Sequence, residues 1–148
     1  MNAQSFFALI ERHFQKAEYI SIRHLGFKML SAPKALEQEN VRLFAFLSNG
    51  QKASAKLLEE LADYAKSVAF YKNCKYGQKI YAFCLFAADD FSASQIELFK
   101  KIKSHNGVTI ISAGYSLSDD KITICSKAGA LASAQTKKIL KLAQEILK

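Results

Sequence analysis

The sequence predicts an α/β protein: a three-layer single domain over residues 1–148, with a mostly parallel central sheet, a C-terminal antiparallel strand and flanking helices. Dense apolar runs at 42–47, 79–86 and 108–113 alternate with stretches whose apolar residues recur at helical spacing. Such continuous runs belong to strands covered on both faces. Buried strands joined through helices lie parallel, with right-handed crossovers.

Residues 3–17 set Phe6, Phe7, Ile10 and Phe14 against Glu11, Arg12, Gln15 and Lys16, which predicts an amphipathic helix. Residues 18–30 fit two readings. Tyr19-Ile20-Ser21-Ile22 has strand character, making 19–24 a candidate edge strand, while Gly26 either bends a hairpin or ends the segment. Pro33 and Glu37-Gln38-Glu39-Asn40 predict a loop. Arg42-Leu43-Phe44-Ala45-Phe46-Leu47, closed by Ser48-Asn49-Gly50, predicts a buried strand. A long helix over 52–71 follows. Its core stripe is Leu57, Leu58, Leu61, Ala62, Ala65, Val68 and Ala69, and its wet face Lys56, Glu59, Glu60, Asp63 and Lys66.

The basic, aromatic loop 71–77 leads into the second buried strand, 79–86. Ser92 with Gln95 matches a capping box and opens a helix over 92–105, with Ile96, Phe99 and Ile102 buried. Asn106-Gly107 is expected to stop that helix and His105 to stand at its C-terminus, in a structural role. Residues 108–113 form the third dense strand, 116–120 a turn, and 121–126 an added antiparallel strand. Gly129 breaks the chain before a last helix over 131–147. Its stripe is Ile139, Leu142, Ala143 and Ile146, with Lys137, Lys138, Lys141 and Lys148 outside it. Ala53-Ser54-Ala55-Lys56, Ala93-Ser94-Gln95 and Ala132-Ser133-Ala134-Gln135 each open a helix, a faint repeat of the kind successive βα units make.

Half of the 148 residues are hydrophobic and 11% aromatic, which excludes a disordered chain; one proline and six glycines exclude collagen-like and low-complexity classes. Cys74, Cys84 and Cys125 form no close pair, so no disulfide framework is legible. Met1-Asn2-Ala3-Gln4-Ser5 has no basic leader region, and no apolar run reaches the length of a membrane span. The expectation is a reducing, cytoplasmic setting with no membrane partner.

The formal net charge is +8. Ten basic and seven acidic side chains fall in residues 1–74, eleven and six in 75–148, so no basic tail accounts for the excess. Eighteen of the 21 cations are lysine. Lysine is a hydrated point charge suited to phosphate attraction more than to reading bases.

Among residue groups with chemistry, Asp89-Asp90 stands at the carboxyl end of a dense strand, where ligands gather in open α/β sheets. Two adjacent carboxylates there suit a hard divalent cation such as Mg²⁺. The other reading, and the plainer one, is a polar βα turn with Asp90 assisting Ser92 at the helix N-terminus, where negative charge is favoured. Asp119-Asp120 reads as turn chemistry. Ser48-Asn49-Gly50-Gln51-Lys52 lacks the second glycine and the Gly-Lys-Ser/Thr of a phosphate loop. His13, His24 and His105 have no ligand partners at metal spacing. Cys74, between Lys72 and Lys75, is the cysteine whose setting favours a thiolate. In Tyr71-Lys72-Asn73-Cys74-Lys75-Tyr76-Gly77 aromatics alternate with cations, as in non-specific single-strand binders.

Residues 79–116 run strand, Ser92-x-x-Gln95 helix, then Gly107-Val108-Thr109-Ile110-Ile111-Ser112-Ala113-Gly114. That order is similar to the second half of Mrr-like restriction endonuclease domains. The family's acidic residue before Glu-x-Lys would fall within 80–86, where Ile-Tyr-Ala-Phe-Cys-Leu-Phe offers no acid and no lysine. The resemblance implies a nuclease-like scaffold without nuclease activity.

Excess lysine and the lack of a catalytic signature predict a non-enzymatic binding or accessory protein that takes nucleic acid or an acidic partner. Its candidate nucleic-acid-binding residues are Lys72, Lys75, Tyr76 and Lys79, then Lys100, Lys101 and Lys103. The competing reading is a metal-dependent phosphoryl-transfer or hydrolytic enzyme using Asp89 and Asp90. No motif names a cofactor.

Overall fold

The computed structural model describes residues 1–36, 40–71 (Tyr71 by its backbone) and 78–148. Helix α1 (Ala3–Glu11) is followed by strands β1 (Phe14–Ile22) and β2 (Leu25–Pro33), a 3-10 turn (Lys34–Leu36) and β3 (Val41–Asn49). Then come α2 (Ala55–Tyr71), β4 (Lys79–Ala88), α3 (Ala93–Phe99), β5 (Lys103–His105), β6 (Val108–Ser116), β7 (Lys121–Ile124) and α4 (Ala134–Ile146). The seven strands make one sheet in the order β1-β2-β3-β4-β6-β5, with β7 also on β6.

The sheet is mixed and mainly antiparallel, which overturns the expected mostly parallel one. Among the described residues β3–β4 and β4–β6 pair in parallel. The β1–β2, β2–β3, β5–β6 and β6–β7 pairs are antiparallel. Two tight turns account for much of the difference. Ile22 pairs with Leu25 across Arg23 and His24, which both adopt positive φ (50° and 67°). His105 pairs with Val108 across Asn106 and Gly107, at φ 50° and 82°. Positive φ at both central residues is the geometry whose twist suits a two-residue hairpin.

Asn106-Gly107 is therefore a hairpin turn and not a helix stop. Helix α3 ends at Phe99 and His105 closes β5, away from any helix C-terminus. Helix α1 likewise ends at Glu11, and the edge strand begins at Phe14 instead of 19. Gly26 lies inside β2.

Helices cover both faces of the sheet. Alternation along β4 explains how: Tyr81, Phe83, Leu85 and Ala87 enter the core beneath α1 and α4, while Ala82, Cys84 and Phe86 enter the core beneath α2 and α3. Residues 81–87 are all buried, as a doubly covered strand requires. Buried Tyr81 meets its polar need at α4, with its hydroxyl 3.0 Å from Thr136 Oγ1. Gly114 leaves room for Phe99, whose ring would lie 2.4 Å from an added Cβ.

The polar face of α2 holds both hairpin turns. Glu60 forms an ion pair with Arg23, its Oε2 2.6 Å from Arg23 Nε. Asp63 accepts from Asn106 Nδ2 at 3.1 Å and lies 3.1 Å from His105 Nε2, while Lys66 donates to the Asn106 carbonyl at 2.6 Å. Residues that read as a solvated face thus anchor the two antiparallel additions. No helix among the described residues is long and apolar enough to cross a membrane.

Candidate nucleic-acid interface

The carboxyl ends of β4 and β6 place the paired aspartates. Leu117 N donates to the Ala88 carbonyl at 2.8 Å and Ser118 N to the Asp89 carbonyl at 3.1 Å, extending the parallel ladder past the strands. Ser116 Oγ also donates to the Asp89 carbonyl, at 3.0 Å. The Asp89 backbone is thereby fixed, and Asp89 and Asp90 are both exposed. Ser92 caps α3: Gln95 N donates to Ser92 Oγ at 3.3 Å and Ser92 N to Gln95 Oε1 at 3.0 Å, the expected capping box. Among the described residues no group of three His, Cys, Asp or Glu side chains is arranged to hold a metal ion.

Helices α2 and α3 pack on the same face, so the winding of β3, β4 and β6 does not reverse. The ligand crevice that forms where an α/β sheet changes winding direction has no counterpart between these strands. The concave surface lies farther out, at the edge carried by β7. A cavity of about 680 Å³ opens there between α3, β7 and α4. Lys100, Lys121, Lys141 and Lys148 line it, with Asp90, Asp119 and Glu145, around an apolar floor of Ile96, Ile122 and Ile124. A second cavity of about 720 Å³ shares Ser126, Lys141 and Gln144 with it and adds Lys127 and Lys137. The two cavities adjoin at these α4 residues, and together they are lined by six lysines drawn from three separate stretches of chain; this pair of cavities is the lysine groove.

Of the residues singled out from sequence, Lys100 falls in this groove. It is the C-cap of α3 and its ammonium stands 3.7 Å from Glu97. Lys101 is exposed beside it, and half-buried Lys103 begins β5. Lys79 begins β4 at the end of that strand opposite Asp89 and Asp90, so it does not join this cluster. Lys72, Lys75 and Tyr76 lie outside the described residues. Asp90 lines the groove together with Asp119, whose place in the sequence suggests turn chemistry alone.

Lys121, Lys127, Lys137, Lys141 and Lys148 were not in the predicted site. Part of the signal is in α4: positions 137, 141, 144 and 148 repeat at spacings of four, three and four, one face of a helix. Those lysines read as the solvated side of an amphipathic helix until β7 and α3 are placed opposite. No protein-family model matches the sequence, and no curated protein matches it.

Proposed function

We propose that the protein is a non-enzymatic binding or accessory protein that holds the phosphate backbone of a nucleic acid along the lysine groove between α3, β7 and α4. The observation that carries this reading is the lining of two cavities that share Lys141 by Lys100, Lys121, Lys127, Lys137, Lys141 and Lys148. Six lysines against the carboxylates of Asp90, Asp119 and Glu145 leave an excess of positive charge, which attracts phosphates and releases their counterions. With no arginine lining the groove, the bidentate fork that reads guanine is missing, so binding is to backbone and nearly independent of sequence.

Fluorescence anisotropy with labelled single- and double-stranded oligonucleotides tests it. Affinity should fall steeply with salt, and scrambled sequences should bind alike. Replacing Lys141 and Lys148 by glutamine should reduce the slope of log affinity against log salt by about 0.7–0.9 for each phosphate that is no longer neutralised. Neutralising Lys72 and Lys75 tests the aromatic and basic stretch 71–77 separately. No binding at ~50 mM salt, where non-specific association is strong, would refute the nucleic-acid reading. Capture of an acidic polypeptide instead would transfer the groove to that partner.

A second reading is favoured by one observation: Asp90 and Asp119, from turns after two different strands, line the same cavity as the lysines. A divalent cation on Asp90 with Asp89 or Asp119, beside cations that hold phosphate, is the arrangement of metal-assisted phosphoryl transfer or hydrolysis. Titrating Mg²⁺ or Mn²⁺ should then raise the melting temperature, and Asp89→Asn with Asp90→Asn should abolish the rise. A flat titration removes this reading.

A further inference from the structure

The long edge strand β1, which among the described residues pairs on one side alone, points to a second copy of this chain as its partner. We propose that the protein forms a two-fold symmetric dimer by antiparallel pairing of β1 with β1, centred on Ala17.

Strand β1 spans nine residues, and among the described residues it pairs with β2 alone. The register fixes which backbone groups face outward. Because Ile22 and Leu25 close a two-residue turn, Ile22, Ile20, Glu18 and Lys16 exchange hydrogen bonds with Leu25, Phe27, Met29 and Ser31. The N–H and C=O groups of Ala17, Tyr19 and Ser21 therefore point away from β2. An edge of this length is a template for another strand unless its side chains forbid it.

Here the side chains choose the strand. Lys16, Ala17, Glu18 and Tyr19 are all exposed, with Tyr19 at 82%. Lys16 and Glu18 make no ion pair or side-chain hydrogen bond among the described residues, and they stand on one face on either side of Ala17. In an antiparallel pair centred on Ala17, Lys16 of each copy lies opposite Glu18 of the other, twice by symmetry. Outward-facing Ala17 becomes a hydrogen-bonded pair with itself, which makes Lys16 and Glu18 a non-hydrogen-bonded pair. Their Cα atoms then stand about 4.5 Å apart, the closer of the two spacings.

Adjacent symmetric registers are excluded by the same charges. Centring on Lys16 sets lysine against lysine, and centring on Glu18 sets carboxylate against carboxylate; like charges directly opposite destabilise a sheet. A guard of one sign would repel every copy of itself. The Lys16-Ala17-Glu18 pattern repels in the neighbouring registers and attracts in one. The contact is isologous and closes as a dimer, because each copy uses its single β1 edge.

Sedimentation equilibrium of the full chain, with amide hydrogen exchange, tests this. Wild type should dimerise reversibly, and exchange at Ala17 and Tyr19 should slow as protein concentration rises. Lys16→Glu and Glu18→Lys should each weaken the dimer by about tenfold or more, because both opposed pairs turn repulsive. Mixing the two variants should restore association as a heterodimer, since every opposed pair is again of opposite sign. That recovery also shows that both variants are folded. A wild type that stays monomeric up to about 1 mM, the Kd of a weak encounter, overturns the proposal. So does a dimer that neither reversal weakens, or a mixture that fails to associate.

Discussion

At the scale of single residues, three buried groups have chemistry set by their surroundings. Cys84 is fully buried on β4, and burial pushes its thiol pKa well up from the ordinary cysteine value. The thiolate is the reactive form, so both access and ionisation protect this side chain. Cys125 is buried after β7, and its thiol donates to the Lys127 carbonyl at 3.2 Å. Both should resist a thiol reagent in the native protein while Cys74 reacts. Mass spectrometry of the labelled chain decides it, and equal modification of all three without unfolding would contradict the burial. Tyr115 offers a pH-dependent counterpart. Its hydroxyl donates to the Asp120 carboxylate, and that bond, then burial, then the neighbouring negative charge raise its pKa. The folded state thus holds this proton more tightly than the unfolded chain. The stabilisation is complete below the unfolded tyrosine pKa of about 10 and is lost as pH rises through the raised folded value. Asp120→Asn should lower one tyrosinate titration toward the ordinary range, measured by ultraviolet absorbance, with burial still holding it above that range, and should cost stability below a pH of about 10.

At the scale of elements, α2 shows how periodicity becomes stability. Leu57, Leu58, Leu61, Ala62, Ala65 and Ala69 are buried as their spacing predicts, and Leu61 has no exposed surface. Leu61→Ala should cost about 2–5 kcal/mol, since it removes transfer energy and leaves a cavity under a covered sheet. A denaturant melt measures it, and a loss below ~1 kcal/mol would mean that this helix face is not packed. Near-continuous apolar runs made β3, β4 and β6 legible, because a doubly buried strand is apolar at most positions. The added antiparallel strand expected at 121–126 is found as β7, but the pattern did not supply the β1–β2 and β5–β6 hairpins. β1 has five consecutive exposed residues, so it carries almost no core pattern, and Arg23-His24 is a turn without glycine or asparagine. β5 is three residues long, too short for any period, and its Asn106-Gly107 turn serves helix ends as well as hairpins. The groove was illegible for a related reason. Lysines on α3, β7 and α4 converge only once β7 is known to take the outer edge of β6.

At the scale of the whole molecule, charge governs stability and binding with opposite dependence on salt. The chain carries a formal +8, and its described ion pairs between Lys or Arg and carboxylates are Arg23–Glu60, Lys28–Glu11 and Lys100–Glu97. Lys100–Glu97 is exposed and contributes little, and the other two pairs are still reached by solvent, whereas a net charge far from zero strains the compact state by self-repulsion. Raising salt from about 0.01 M to about 0.1 M shortens the screening length from roughly 30 Å to roughly 10 Å, less than the span of the molecule. The melting temperature of the free protein should therefore rise over that interval. An oligonucleotide in the lysine groove adds stability in proportion to its occupancy, and that occupancy falls with salt because each neutralised phosphate releases counterions. Thermal melts with and without oligonucleotide should start well separated at low salt and converge as salt increases. A free protein that loses stability over the same interval would show that attractive pairs outweigh the self-repulsion. An oligonucleotide increment insensitive to salt would place its binding in interactions other than those of the lysines with phosphate.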